Sequence, residues 1–313
     1  MGKLLKSLLV IILTLVIIVG LAVGGVWAFC YFKYDVNVFS VLSALNKVSA
    51  MPEESEIATN VPADDDYTSR MNKINTALCL GTNKVITHNE EEQKYEFDYT
   101  QANKILGTDD LVLTDKESCA LFNMILTSQD PTINTGSENI KLSDYDFKLL
   151  ELDFADHQII TADETTTINS SFKIVSSVNL IEVKKKMNSF PLSILKGKVP
   201  DTLYIASTVT VIMEQNTISY TVESKALNLN KVTYEEIKPV FKLLNNFVKI
   251  GEIDEFNKQI GSMFVNGLLG NAEMEGFAYS LVTQEVSPGV KVAESFAFTK
   301  DGDNVNLTIY GTI

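Results

Sequence analysis

Histidine is almost missing from this chain of 313 residues; there are two, His88 and His157. Neither has a second histidine four residues away or a paired cysteine, so no zinc site can be assembled from them. Cysteine is scarce as well, with Cys30, Cys79 and Cys119 making three in all. That number excludes the disulfide framework on which small secreted domains rely. Cys79 and Cys119 are either a bridge or two small buried thiols; spacing leaves both open, because pairing depends on a Cα separation. The G-x-S-x-G, Walker and dinucleotide motifs are absent. With them go the nucleophile elbow, the P-loop and the Rossmann phosphate cradle. Finally, no charged residue occurs between Lys6 and Lys33.

That last absence is the chain's strongest positive feature. The uncharged run Ser7–Phe32 is 26 residues long. A helix rises about 1.5 Å per residue, so about 20 residues cross a bilayer core, and this run spans it with some tilt. A secretory signal has a basic start, an apolar stretch of about 7–15 residues and a small-residue cleavage site. Ala22-Val23-Gly24 would serve as such a site, but the apolar run continues well past it. Trp27, Tyr31 and Phe32 fall where an interfacial aromatic belt belongs. The expectation is an uncleaved transmembrane anchor over residues 1–33, in contact with lipid through residues 7–32. Cys30 follows Phe29, which argues against lipid modification. Lys3 and Lys6 place the N-terminus in the cytoplasm by the positive-inside rule, so residues 33–313 are expected outside, as a single-pass plasma-membrane protein.

Removing Lys3 and Lys6 leaves 24 basic against 40 acidic residues, a charge of about −16 for the remainder. Such a balance disfavours nucleic acid as a partner and flat docking onto anionic lipid heads. The remaining length, about 280 residues, is enough to bury a sizeable core. The richness in Lys, Asn and Ile points to a low-GC Gram-positive bacterium as the source.

Along the chain, Val38, Val41, Leu42, Leu45 and Val48 have helical spacing and predict a juxtamembrane helix over 35–49. Residues 52–66 are acidic, with two prolines, and read as a loop or spacer, so that 34–66 forms a link and 67–313 the α+β domain. Asp64-Asp65-Asp66 reads as an exposed charged turn rather than a cation site. A helix follows over 67–80 with Met71, Ile74 and Leu78 on one face. Short strands are expected over 84–88 and 93–100, then a helical turn over 101–106. Leu111–Leu113 leads into Thr114-Asp-Lys-Glu117, a capping box that starts a helix over 115–126. Residues 130–138 read as a loop.

From Ile140 the chain turns β-rich. Strands are expected over 145–154, 158–161, 168–183 and 203–213, with a short helix from Lys184 to about Phe190. Leu203, Ile205, Val209, Val211 and Met213 share one face; Ile218, Tyr220 and Val222 return in register after a turn at 215–217. The apolar parity then slips to Leu227 and Leu229, which predicts a bulge near Ser224–Ala226. Thr233-Tyr-Glu-Glu236 is a second capping box, and Pro239 behind it predicts a kink or a fresh helix start. A helix over 255–269 stops at Gly270. The tail reads as a strand meander over 275–285, 291–298 and 305–312.

The two strand–cap–helix steps lie 119 residues apart by Thr114 and Thr233. They are compatible with two similar halves, 67–139 and 140–313, or with two independent uses of a common cap. The step Leu111-Val112-Leu113-Thr114…Glu117, and Lys198-Val199-Pro200-Asp201 before Leu203-Tyr204-Ile205, resemble passages of the YpmS-like single-pass envelope proteins of Gram-positive bacteria. More distantly, the pattern resembles tubular lipid-binding domains. The resemblance implies an anchored α+β ectodomain of long, mostly antiparallel, curved strands; it carries no site residue.

Three further candidates complete the search. Ser193-Ile-Leu-Lys196 fits the S-x-x-K nucleophile motif, but no K-T-G accompanies it, so helix surface is the expected role. His88-Asn-Glu-Glu-Glu92 reads as an exposed turn. Asp301-Gly-Asp303-Asn304 begins like a calcium loop, but Val305 takes the third ligand position and no Glu stands at the twelfth; a hairpin turn is expected. No catalytic residue, cofactor ligand or metal ligand is assigned. The sequence therefore supports a non-enzymatic, membrane-anchored protein that binds a lipid or other apolar envelope ligand. The alternatives are a structural or regulatory partner of an envelope complex and, last, a serine hydrolase on Ser193 and Lys196.

Overall fold

The alternation around Leu203–Met213 becomes the middle of a five-stranded sheet. A computed structural model describes residues 31–313 apart from 34, 51, 135–138, 163–164, 187, 189–195, 215–216, 249–252, 274 and 312–313. In chain order the first elements are helices α1 (Val38–Ser49), α2 (Glu54–Ile57) and α3 (Asp64–Leu78). The hairpin β1 (Ile86–Asn89) and β2 (Lys94–Phe97), strand β3 (Leu111–Leu113) and helix α4 (Asp115–Gln129) follow. A second hairpin, β4 (Thr132–Asn134) and β5 (Asn139–Lys141), leads to β6 (Lys148–Ala162), β7 (Thr165–Asn179) and α5 (Ile181–Lys186). Then come β8 (Thr202–Glu214), β9 (Thr217–Leu229), β10 (Val232–Thr233), α6 (Tyr234–Val248) and α7 (Ile253–Leu268). Helix α8 (Phe277–Thr283), β11 (Glu285–Ser287), β12 (Val290–Lys291), β13 (Ser295–Asp301) and β14 (Asn304–Tyr310) close the chain.

The fold is α+β. The main sheet runs β10-β9-β8-β7-β6, and a smaller one runs β13-β14-β3, with every pairing antiparallel. Strands of 13 and 15 residues are long for a globular protein; at about 3.4 Å per residue they reach about 45–50 Å. One face of the sheet carries Phe172, Ile174, Ile205, Val209 and Val211, all buried. Helices α4 and α7 and the β13–β14 hairpin cover it. Five phenylalanines meet there: Phe172 lies 5.1 Å from Phe154, 4.8 Å from Phe298 and 5.5 Å from Phe264, which in turn lies 5.5 Å from Phe122. A second cluster joins α1 to α6 and the near ends of β8 and β9 through Val41, Leu45, Ile205, Leu229, Ile237 and Val240.

Local signals translate directly. Thr114 Oγ1 accepts from the Glu117 N–H at 3.3 Å and Glu117 Oε2 from the Thr114 N–H at 2.9 Å, the reciprocal cap that starts α4. The expected bulge is present: Ala206 pairs with Asn228 and Thr208 with Glu223, so residues 224–227 face Ser207 alone. Gly270, at φ +73°, ends α7 with its N–H donating to the Val265 carbonyl at 3.1 Å, a glycine stop.

Other expectations are corrected. Residues 52–66 are not a loose spacer: α2 forms within them, Ala58 is buried against Leu150, Val175 and Tyr204 on the back of the sheet, and the Thr59 N–H donates to Glu151 at 2.5 Å. Asp64, Asp65 and Asp66 form the first turn of α3, where a helix N-terminus favours negative charge. Residues 130–138 contain β4, paired to β5. The strands expected over 145–154 and 158–161 are one strand, β6, whose bulges at Leu149/Glu151 and Phe154/Asp156 break the alternation and mimic an end. The strand expected over 93–100 stops at Phe97 and gives way to a 3-10 turn at Tyr99–Gln101. Most of 275–285 is helical, as α8 (Phe277–Thr283), because Phe277, Ala278 and Leu281 bury one helical face, and only Glu285 belongs to a strand, at the start of β11. The run over 291–298 splits between β12 and β13. Helix α6 runs on through Pro239 without a new start.

No helix among the described residues is long and apolar enough to cross a membrane. The expected anchor lies outside the described residues except for 31–33, which are helical.

Truncating Phe172 removes the ring that four other phenylalanines surround directly or through Phe264. Phe172→Ala is expected to lower unfolding stability by about 3–5 kcal/mol, and Phe172→Leu by less, in a urea titration. Equal midpoints for Phe172→Ala and wild type would contradict this packing.

Candidate functional site

Helix α3 presents two faces. Ile74 and Leu78 are buried on the inner one, and Arg70, one turn before Ile74, is buried with them. Arg70 is the chain's only arginine. Its guanidinium is paired with Glu117 on α4, and the two side chains are 9% and 17% exposed. Glu117 also holds Lys73 Nζ at 3.0 Å, and Lys73 Nζ donates to the Val112 carbonyl of β3 at 2.7 Å. One carboxylate therefore caps α4 and ties it to α3, while Lys73 ties α3 to β3. Arg70 Nε and Ser118 Oγ are buried without a hydrogen-bond partner.

The outer face of α3 forms one wall of a groove of about 450 Å³, lined by Ser69, Asn72, Lys73, Thr76, Lys104 and Asp109 among others. Its ionic groups are largely committed. Lys104 Nζ donates to the Thr76 carbonyl at 3.1 Å, and Asp110 accepts from the Gly311 N–H at 3.1 Å. The groove brings together no nucleophile, base and oxyanion donor in the arrangement that acyl transfer requires. Polar side chains ring this surface cleft, but with Ala77 and Leu106 among its walls most of the surface it exposes is apolar.

The residues singled out by sequence stay apart. Lys196 Nζ donates to Asn188 Oδ1 at 3.0 Å, and Ser193 lies outside the described residues. His88 is on β1 with its ring 4.6 Å from Tyr95, whereas His157 is on β6 opposite Ser170. Asp301 ends β13, Gly302 turns at φ +62° and Asn304 starts β14, so the calcium-like string is a hairpin turn. Cys79 and Cys119 are free thiols, with Sγ contacts of 3.6 Å to the Gln101 and Leu149 carbonyls respectively. Burial pushes both thiols above their ordinary range, Cys119 much further than Cys79. Among the described residues no group of three or more His, Cys, Asp or Glu side chains is arranged to hold a metal ion.

The Arg70–Glu117 contact escaped the sequence reading. Its one trace was a lone arginine four residues before Ile74, in a position that the apolar stripe claims.

Comparison with family models, with curated proteins and with solved structures finds no match.

Glu117→Gln strands the Arg70 charge in a buried site and is expected to cost about 2–4 kcal/mol; adding Arg70→Met should restore part of the loss, because replacing both partners removes the unpaired charge. A double mutant no more stable than Glu117→Gln would show that the cap, rather than the ion pair, carries the effect. For the thiols, a maleimide at neutral pH is expected to label Cys79 slowly and Cys119 only after denaturation, read by peptide mass. A Cys79–Cys119 disulfide peptide would contradict this.

Proposed function

We propose that this is a membrane-anchored, extracytoplasmic, non-enzymatic protein that binds a lipid or another apolar envelope ligand along the far end of its long sheet. The observation that carries the reading is that the core thins toward the far end of the sheet, where Met213 and Tyr220 still pack against it but are only partly covered. Phe172, Val209 and Val211 are fully buried. Beyond them on the same face, Ile168 pairs with Met213, and Tyr220 pairs with Val211, and Ile168, Met213 and Tyr220 are only half-buried. Partly covered apolar side chains in continuous register form a surface that an acyl chain can extend, since burial of apolar area is non-directional. The uncharged 26-residue run after Lys6 supports the anchor, and the YpmS-like and tubular lipid-binding resemblances point the same way. The groove on α3 is a separate cleft, ringed by polar side chains, and is not this site.

The runner-up, a structural partner of an envelope complex, draws on α1, whose Phe39 is 56% exposed. The hydrolase reading is weakened by Lys196, whose ammonium is held by Asn188.

The test uses the full chain in native membranes with a photoactivatable phospholipid. Crosslinks are expected on residues 165–170 and 211–222 in addition to 7–32. Crosslinks confined to 7–32 would remove the ligand site, and cleavage of the C-terminal region by a protease confined to the cytoplasmic side would reverse the orientation.

A further inference from the structure

The link between the expected anchor and the folded domain is very short. Residues 31–33 are helical, and the Asp35 N–H donates to the Tyr31 carbonyl at 2.9 Å, closing that helix with Asp35 in the left-handed region at φ +51°. Val36 is 2% exposed and already belongs to the cluster that α1 and α6 share. Asn37 caps α1, its Oδ1 accepting from the Phe39 N–H at 3.0 Å. Asp35 is held by Lys242 of α6 at 2.5 Å, and Lys47, near the other end of α1, pairs with Glu236. A helix stop, a buried valine and a helix cap thus occupy Asp35, Val36 and Asn37. From Phe32 to Val36 the chain reaches at most about 14 Å.

A domain held this closely must turn one surface to the bilayer. Val41, Ala44, Leu45 and Val48 bury the inner face of α1. The opposite face carries Phe39, Ser43 and Asn46, all exposed. No acidic residue occurs between Asp35 and Glu53, and residues 237–248 of α6 carry Lys238 and Lys242 with no acid. In a chain of net charge −14 these acid-free stretches repel anionic headgroups less than the domain as a whole does, although the first turn of α6 carries Glu235 and Glu236. Tyr31 and Phe32, 44% and 82% exposed, lie immediately before the joint. Aromatic side chains at the headgroup level are the usual interfacial anchors.

We infer that the outward face of α1, led by Phe39, lies on the headgroup region of the same membrane that residues 7–32 enter. The domain is then clamped to the bilayer surface and does not swing on a leash. This rests on the anchor reading proposed above and adds an orientation to it.

The test places a tryptophan reporter on the full chain in vesicles of phosphatidylcholine and phosphatidylglycerol, part of the phosphatidylcholine being brominated on its acyl chains. Trp27 is the only tryptophan, so the background is Trp27→Phe. An interfacial helix sits about 5–10 Å into the headgroup–acyl boundary, within reach of such quenchers. The Phe39→Trp variant is expected to lose emission to brominated lipid, and Ser43→Trp, one turn on, to repeat the result. Leu80→Trp, exposed beyond α3 and outside the α1–α6 cluster, should keep its emission. If the chain floats with the vesicles but Phe39→Trp is quenched no more than Leu80→Trp, the clamp is overturned and the anchor stands. A chain that does not float overturns both. A blue-shifted Phe39→Trp emission in native membranes that brominated lipid leaves untouched would assign this face to a protein partner and overturn the lipid contact.

Discussion

The packing of Phe172 is the constraint on which the rest of the structure depends. Its ring is fully buried and belongs to β7, in the interior of the main sheet. Phe154 comes from the neighbouring strand β6, Phe298 from the C-terminal hairpin, and Phe264 from α7, which hands the contact on to Phe122 of α4. Aromatic rings bury the largest areas of any side chains and prefer the tilted and edge-on arrangements seen here. Their partners lie far apart in sequence, so no subset of consecutive elements can complete this core alone. The small sheet shows the same dependence. Strand β3 pairs with β14, Leu111 opposite Ile309, and becomes part of a sheet only when the end of the chain arrives. Folding that waits on such non-local pairings pays loop-closure entropy before it gains contacts.

Around that core, asparagine side chains close the seams where regular pairing fails. An amide offers one carbonyl and one NH₂ group, and so it can satisfy both groups of a peptide unit. Asn123 of α4 donates to the Leu149 carbonyl at 2.7 Å and accepts from its N–H at 2.8 Å, beside the first bulge of β6. Asn75 of α3 does the same for Ile86 at 2.8 and 2.9 Å. Asn230 accepts from the Tyr204 N–H at 2.7 Å and donates to the Val48 carbonyl at 2.9 Å, joining α1 to β8. Buried backbone groups left open would cost more than these side chains lose by being fixed. The abundance of asparagine, which by itself says only something about base composition, includes residues that hold helices to strands.

This explains which features were legible. Signals that act within a few residues translated into structure: the Thr114–Glu117 cap, the glycine stop at Gly270, and the parity slip that became the bulge opposite Ser207. Features decided by a distant partner did not. The break at Asp156 looks like a strand end until β7 supplies thirteen residues of pairing across it. Phe277, Ala278 and Leu281 fit a strand meander as well as a helix until the core selects one face. Nothing in the sequence beside Arg70 points to Glu117, which reaches it from the next helix. As for the site, the search by motif found nothing. The structure shows the candidate side chains held by ordinary neighbours, His88 by Tyr95 and Lys196 by Asn188.

The position of α1 gives the sheet a direction. Helix α1 shares its cluster with Leu203, Ile205 and Leu229, at one end of β8 and β9, whereas Met213 and Tyr220 lie toward the other. From Ile205 to Met213 an extended strand advances about 27 Å. If α1 rests on the bilayer, the half-buried apolar surface stands at the end of the sheet away from that contact. A ligand there would not be one that merely dissolves sideways from the same leaflet. It would have to be carried along the sheet or received from outside. The short capped joint makes the distinction physical: a domain on a long leash samples every orientation, and its apolar end meets the parent membrane as readily as anything else. A domain fixed through Val36 and the Asp35–Lys242 pair holds that end at a set distance. The same three residues that limit the reach of the domain would therefore decide which surface its far end can serve.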